Sequence, residues 1–132
     1  MALLGMRHLA LRVRDAQASK AFYRETFGMA VVWEPDAENV YLSSGTDNLA
    51  LHGGFTGSPG ALDHLGFIVE TKDEVDSLAA RLKAQGLALA AEPRDHRDGS
   101  RSFYCLDPDG LRIQVLFEPT LSTQRIVTTP RL

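Results

Sequence analysis

The feature of this sequence that most constrains its fold is one pattern that occurs twice, with a histidine near its start each time. The first copy begins around His8 and the second around His64, and each of these histidines lies in an alternating apolar and polar stretch that leads into a helical stretch. Such a duplication predicts two modules with the same order of elements. It also places the two histidines at matched positions, which indicates a built site.

The end of the pattern repeats as well. Residues 41–52 align without a gap to residues 103–114, which matches His52 with Gln114. The offset between the copies grows from 56 residues at their start to 62 at their end, so six extra residues are expected in the second copy, and we place them in a loop at 94–99. The matched positions are then occupied by His8, His52, His64 and Gln114.

Hydropathy periodicity predicts the order strand, helix and three strands in each copy. In the first copy the strands are expected near 7–13, 29–34, 39–43 and 48–52, with a helix over 16–27. In the second copy they are expected near 63–70, 87–92, 101–106 and 111–118, with a helix over 72–85. The apolar stripe of the first helix is expected to be formed by Ala18, Ala21, Phe22 and Phe27. That of the second is expected to be formed by Val75, Leu78, Ala79 and Leu82.

Composition favours one small globular domain. The chain has 132 residues, of which 44% are hydrophobic, and a net charge of −3 without a long run of one sign, so we expect neither a nucleic-acid nor a membrane partner. A single cysteine, Cys105, excludes an intrachain disulfide and favours a cytoplasmic location. The expected organisation is one domain over 1–118, made of module 1 (6–53), a linker (54–62) and module 2 (63–118), followed by a tail at 119–132.

Alternation along the strands predicts one apolar and one polar face for each sheet. The apolar faces, which helices are expected to cover, carry Leu9, Leu11, Val13, Leu49, Leu51, Leu65, Phe67, Val69, Leu111, Ile113, Val115 and Phe117. The polar faces carry His8, Ala50, His52, His64, Arg112, Gln114 and Glu118. If both sheets are curved, these polar faces line a shared cup.

This organisation resembles the vicinal oxygen chelate superfamily, which includes glyoxalase I, fosfomycin-resistance thiol transferases, extradiol dioxygenases and bleomycin-resistance binding proteins. The segments that carry the resemblance are 7–13, 21–29, 63–67, 102–104 and 107–110. The resemblance implies an α+β fold with two βαβββ modules in tandem, forming a cupped, partly open barrel-like sheet with helices outside. It also implies a homodimer, a small-molecule ligand and a divalent metal ion such as zinc, nickel, manganese or iron.

By this resemblance the metal ligands are His8, His52, His64 and Gln114. Gln114 stands where the second module of the family usually has glutamate, and a glutamine is neutral and a very poor base. Classical glyoxalase I chemistry is therefore disfavoured, since its proton transfer uses ligand glutamates. Three imidazoles and an amide would leave the charge of a dication uncompensated, which favours an anionic chelating substrate.

Two functions remain open. One is a metal-dependent enzyme of the lyase, isomerase, dioxygenase or thiol transferase type that acts on an anionic oxygen-chelating substrate. The other is a metal-free small-molecule binding or sequestering protein of the bleomycin-resistance type, whose aromatic surface would come from Trp33, Tyr41, Phe55 and Tyr104. The catalytic candidates are Tyr104 and Glu118, and the substrate-binding candidates are Arg12, Arg112 and Trp33.

Overall fold

The computed structural model of the chain describes residues 6–57, 62, 64–119 and 121–123. The chain divides into two compact units after residue 58, which we call module 1 and module 2. The predicted linker (54–62) and tail (119–132) lie partly outside the described residues, so the domain boundaries stay a prediction. Within the described residues, no helix has the length and apolar character needed to cross a membrane.

Module 1 is a four-stranded sheet with one helix. Its elements are β1 (His8–Arg12), α1 (Ala16–Phe27), β2 (Ala30–Asp36), β3 (Asn39–Ser43) and β4 (Asn48–His52). The strand order is β1-β4-β3-β2. Strands β1 and β4 are parallel, and the other pairs are antiparallel.

Module 2 has the same organisation. Its elements are β5 (His64–Ile68), α2 (Lys72–Ala84), β6 (Leu89–Asp95), β7 (Arg101–Leu106) and β8 (Arg112–Phe117). The strand order β5-β8-β7-β6 and the single parallel pair, β5 with β8, repeat those of module 1. The prediction of an α+β fold with two tandem βαβββ modules is confirmed.

Local signals explain where α1 begins and ends. The carboxylate of Asp15 accepts hydrogen bonds from the backbone N–H groups of Gln17 and Ala18, as an N-cap residue does. At the other end Gly28 has φ of 69°, a left-handed conformation that glycine adopts without strain. Both boundaries agree with the sequence-based expectation.

The buried face of α1 differs from the expected one. Its buried residues are Ala16, Ser19, Tyr23 and Thr26, whereas Ala18 and Ala21 are exposed. Small hydroxyl side chains can be buried against a helix because they hydrogen-bond nearby helix carbonyls, so apolarity alone selected the wrong stripe. In α2 the expected face is confirmed for the buried residues Val75, Ala79 and Leu82, and Leu78 is half-buried.

The core of each module lies between its helix and the apolar face of its sheet. In module 1 the buried sheet residues include Leu11, Val40, Leu42, Leu49 and Leu51. In module 2 they include Phe103, Cys105, Leu111, Ile113 and Val115. Phe67, which was expected on the covered face, is only half-buried.

Strand register corrects the alignment of the two copies. In module 1, His8 lies opposite the first residue of β4, and Ala50 follows two positions later. In module 2, His64 lies opposite the first residue of β8, and Gln114 follows two positions later. The structural equivalent of Gln114 is therefore Ala50, so the gap-free alignment was wrong.

The pairing of the antiparallel strands also shows that Ala50 is the structural equivalent of Gln114. Tyr41 lies opposite the alanine in module 1, and Tyr104 lies opposite the glutamine in module 2. His52 then corresponds to Leu116, two positions further along the strand. The extra residues of module 2 are also spread out. The connections from α2 to β6, from β6 to β7 and from β7 to β8 are each longer than their counterparts in module 1.

Candidate functional site

Four rings lie side by side on the face of module 1 that α1 does not cover. Tyr41 is in the middle, with its ring centroid 4.9 Å from Trp33, 6.2 Å from His8 and 6.4 Å from His52. Trp33 is 53% exposed. Beside Tyr41 the register places the small side chain of Ala50, so the face is a shallow, ring-lined surface. We call it the ring face.

Both histidines of the ring face have one ring nitrogen engaged. Nδ1 of His52 is 2.8 Å from Oδ1 of Asn39, and Nδ2 of the same asparagine donates to the carboxylate of Asp36. Because a carboxylate only accepts, Asp36 fixes the orientation of the amide, and His52 donates from Nδ1. Nδ1 of His8 is likewise 2.8 Å from Oδ1 of Asn48. The Nε2 lone pairs of both imidazoles are left for a ligand.

The spacing of these two histidines does not suit one metal ion. His8 lies opposite the first residue of β4 and His52 is the last, so they are four residues apart along parallel strands. That spacing corresponds to about 13 Å along the strands. Strand side chains stand roughly perpendicular to the sheet, so the two imidazoles do not converge to the ~2.0–2.1 Å that zinc–nitrogen bonds require. Tyr41 is midway between them in register.

The position in module 1 that is equivalent to Gln114 offers no donor atom at all, because it is occupied by Ala50. Within each module, the described residues contain no group of three or more His, Cys, Asp or Glu side chains that could hold a metal ion. The set of four expected ligands therefore does not fit a single ion, since its two members from module 1 diverge. Taken individually, His64 and Gln114 remain predicted metal ligands.

On the polar face of module 2, two candidate residues pack against the ring of a third, Tyr104. The imidazole of His64 packs edge-on against Tyr104, with centroids 5.5 Å apart. Cζ of Arg112 lies 4.6 Å from the centroid of the same ring, a cation–π contact. The structure thus brings together a predicted catalytic tyrosine and a predicted substrate-binding arginine.

Gln114 belongs to a short chain of polar side chains in module 2. Its Nε2 donates to Oγ of Ser102 at 3.1 Å, and Oγ of Ser102 lies 2.8 Å from Nε2 of His96. Sequence reasoning missed Ser102 and treated His96 as part of a connecting loop. Strand parity carried a usable signal, because Ser102 is two residues before Tyr104 and so shares its face.

The remaining candidates have other surroundings. Glu118 follows β8, and its Oε2 accepts from the backbone N–H of Leu121, so this carboxylate stabilises a turn. Arg12 is exposed at the end of β1, opposite His52 in register. Cys105 is buried, and burial, with a contribution from Asp107, raises the pKa of its thiol to about 11.

The comparisons with known proteins agree with this fold. The family model described as Glyoxalase/Bleomycin resistance protein/Dioxygenase superfamily matches residues 5–115. A solved structure titled as a lactoylglutathione lyase from Agrobacterium tumefaciens has a TM-score of 0.77 at 24% identity and covers 91% of this chain and 98% of its own. That of a glyoxalase-related enzyme from Fulvimarina pelagi has a TM-score of 0.74 at 26% identity and covers 96% and 100%.

A similar sequence is that of a trivalent organoarsenical cleaving enzyme from Thermomonospora curvata. The two sequences are 39% identical over 85 residues, which represent 64% of this chain and 56% of the relative. The match thus spans little more than half of that relative's length.

Proposed function

The chain belongs to the glyoxalase/bleomycin resistance protein/dioxygenase superfamily, and we propose that it binds a small anionic molecule with a planar part, without needing a divalent metal ion. The observation that carries this proposal is the ring face, where His8 and His52 flank Tyr41 instead of converging. Rings placed side by side offer stacking surface and separate hydrogen-bonding nitrogens. This arrangement favours the binding-protein alternative.

Charge supports an anionic ligand. Arg12 is exposed beside the ring face, and Arg112 is exposed on the polar face of module 2. A guanidinium presents donors in a planar fork that matches the geometry of a carboxylate or a phosphate.

A metal-dependent activity is the second candidate. It is favoured because His8 and Gln114 are each tied through one polar atom within their own module, which leaves Nε2 of the histidine and Oε1 of the glutamine for a ligand. The family resemblance adds His64 as a predicted ligand, and a zinc, nickel, manganese or iron ion would polarise the oxygens of an anionic substrate.

The residues of this chain do not favour the activities named for its relatives. Proton transfer by a ligand carboxylate is disfavoured, because the two equivalent positions hold Ala50 and Gln114, and neither is a base. Trivalent arsenic is a soft centre that prefers thiolates. The single cysteine of this sequence, Cys105, is buried with its pKa raised to about 11, so it supplies no thiolate at neutral pH.

The single tryptophan makes the proposal directly testable. We expect the indole N–H resonance of Trp33 to shift saturably when benzoate, 3-hydroxybenzoate or phenyl phosphate is added, and to be unaffected by neutral benzyl alcohol. Arg12→Gln should weaken binding of the anionic probes by about fivefold to tenfold, because it removes a charged hydrogen-bond donor. The matched control is Arg24→Gln, which removes the same charge from α1 on the other side of the sheet.

The outcomes separate the two candidates. Binding that persists unchanged in EDTA supports the proposal, and binding that EDTA abolishes favours the metal-dependent alternative. If none of the anionic probes shifts the Trp33 resonance, the proposed ligand class is wrong.

We also propose a homodimer in the cytoplasm, with a small-molecule ligand and without nucleic-acid or membrane partners. The dimer is supported by the general frequency of twofold symmetric oligomers. The cytoplasmic location is supported by the single cysteine, Cys105, which is buried. The expectation of no nucleic-acid partner is supported by the net charge of −3.

A further inference from the structure

One set of polar side chains in module 2 has no role in the metal-free binding proposed above. It consists of His96 immediately after β6, Ser102 on β7 and Gln114 on β8, joined by hydrogen bonds of 2.8 Å and 3.1 Å through the serine hydroxyl. Ser102 is only 2% exposed, whereas the other two are half-buried. We call these residues the polar chain.

The chemistry of the three groups and the burial of Ser102 together determine the direction of each hydrogen bond. The amide Nε2 of Gln114 can only donate, so the oxygen of Ser102 accepts from it. Because Ser102 is almost fully buried, its hydroxyl hydrogen needs an acceptor, and among its described side-chain partners Nε2 of His96 is the group that can accept, which makes Nε2 the unprotonated ring nitrogen. As a result, the amide oxygen of Gln114 is the atom turned away from the serine.

The far end of the polar chain is held in place by backbone hydrogen bonds. The N–H of His96 donates to the carbonyl of Ser100 at 2.8 Å, and the N–H of Gly99 donates to the carbonyl of His96 at 3.0 Å. The carboxylate of Asp98 accepts from the N–H of Ser100 at 2.9 Å. The imidazole is therefore attached to a tight turn, which makes it a fixed support.

The other end of the polar chain, at Gln114, is not covered by a side chain from the neighbouring strand β5. Gly66 lies opposite Gln114 on β5 and has no side chain, and a Cβ placed there would stand 3.7 Å from Oε1 of the glutamine. Arg112 is two residues away on the same face of β8, at a spacing of about 7 Å along the strand. An acceptor and a cation are thus presented side by side.

We propose that His96 and Ser102 are positioning residues, which hold Gln114 with its amide oxygen toward the polar face as a fixed hydrogen-bond acceptor. Module 2 then selects a ligand that carries a hydrogen-bond donor, such as a hydroxyl group, near the negative group that Arg112 recognises. This specificity rests on the proposed function. It narrows the ligand class to hydroxy acids and to phosphates that carry a hydroxyl group.

The first test needs no ligand. In the folded chain labelled with ¹⁵N, the imidazole resonances of His96 should show a protonated Nδ1 and an unprotonated Nε2 near pH 8. Ser102→Ala should change the Nε2 shift and broaden the side-chain amide signals of Gln114, whereas Ser102→Thr, which keeps the hydroxyl, should preserve both. The opposite tautomer in the native chain, or an unchanged Gln114 amide in Ser102→Ala, would overturn the proposal.

The second test measures specificity with matched probes, 3-hydroxybenzoate and 3-methoxybenzoate. The native chain should prefer the hydroxyl probe by about fivefold, the size expected of one hydrogen bond. Ser102→Ala and His96→Leu should reduce this preference to nearly none without reducing the affinity for the methoxy probe. Ser102→Thr and His96→Gln should retain it. Retention of the preference in Ser102→Ala, with native-like thermal unfolding, contradicts the positioning role.

The two tests fail differently. If the native chain binds neither probe, the proposed function is wrong, and the tautomer of His96 alone decides whether the polar chain orients Gln114. If both probes bind equally while the tautomer is as expected, the ligand class assigned to module 2 is wrong.

Discussion

The turn between β7 and β8 offers the sharpest stability prediction, because one side chain holds it together. Oδ1 of Asp107 accepts from the backbone N–H of Asp109 at 2.9 Å and from that of Leu111 at 2.8 Å. Asp107 is 6% exposed, and its own N–H donates to the carbonyl of Leu111. Gly110, with φ of 84°, completes the turn.

Asp107→Ala removes both acceptor contacts and leaves the N–H of Leu111 buried without its partner. Two hydrogen bonds to a charged acceptor, at about 1.5–3 kcal/mol each, give an expected loss of about 3–6 kcal/mol in the free energy of unfolding. In urea, with a slope of about 2 kcal/mol per molar for a small protein, the midpoint should fall by about 1.5–3 M.

The control is Asp107→Asn, which keeps an oxygen at the accepting position and loses only the charge. It should cost about 1.5 kcal/mol or less, since the neutral amide still accepts both hydrogen bonds. A loss below about 1 kcal/mol for Asp107→Ala, or equal losses for the two variants, would refute the reasoning that these contacts hold the turn.

Three further outcomes are expected. Phe103→Ala should cost about 3–5 kcal/mol in urea unfolding, because Phe103 is fully buried, and Phe22→Ala, which truncates a half-buried ring, should cost clearly less. At pH 8 the native thiol of Cys105 should react with a disulfide reagent at least about a hundredfold more slowly than in denaturant, since its pKa is raised to about 11. Sedimentation at tens of micromolar should show a dimer, and a monomer alone would contradict the proposed oligomer.

The raised pKa of the Cys105 thiol also predicts how the free energy of unfolding changes at alkaline pH. Below pH 9 the thiol is protonated in both states, and as the pH rises toward about 11 the unfolded chain loses its proton first. This contribution to the free energy of unfolding should therefore fall over that interval, and Cys105→Ala should lack it.

Much of the fold could be predicted because its signals are local. The N-cap at Asp15, the helix stop at Gly28 and the turn at 107–110 each depend on the conformational preference of one or a few residues. The buried face of α1 could not be read in this way, since packing against the sheet selected Ser19 and Thr26 over more apolar neighbours.

The candidate site was harder to predict for a related reason. Side chains on a strand alternate with a period of two, so a shift of two residues leaves the same face buried. Hydropathy therefore cannot distinguish Ala50 from His52 as the equivalent of Gln114, and only the hydrogen-bonded register does so. The partnership of His96 with Ser102 depends on the geometry of a turn that the sequence pattern does not specify.

The central claim is that the native chain does not need a divalent ion. Its most direct test is the zinc content of the protein after equilibrium dialysis against micromolar free zinc. The proteins compared are the untagged native chain, His8→Ala and His52→Ala. Because His8 and His52 do not converge, we predict well under one equivalent of zinc in the native chain and no change in His52→Ala. One equivalent that is lost only in His8→Ala would favour the three-donor alternative. One equivalent per chain that is lost in both variants would contradict the account, because it would require both imidazoles on the same ion.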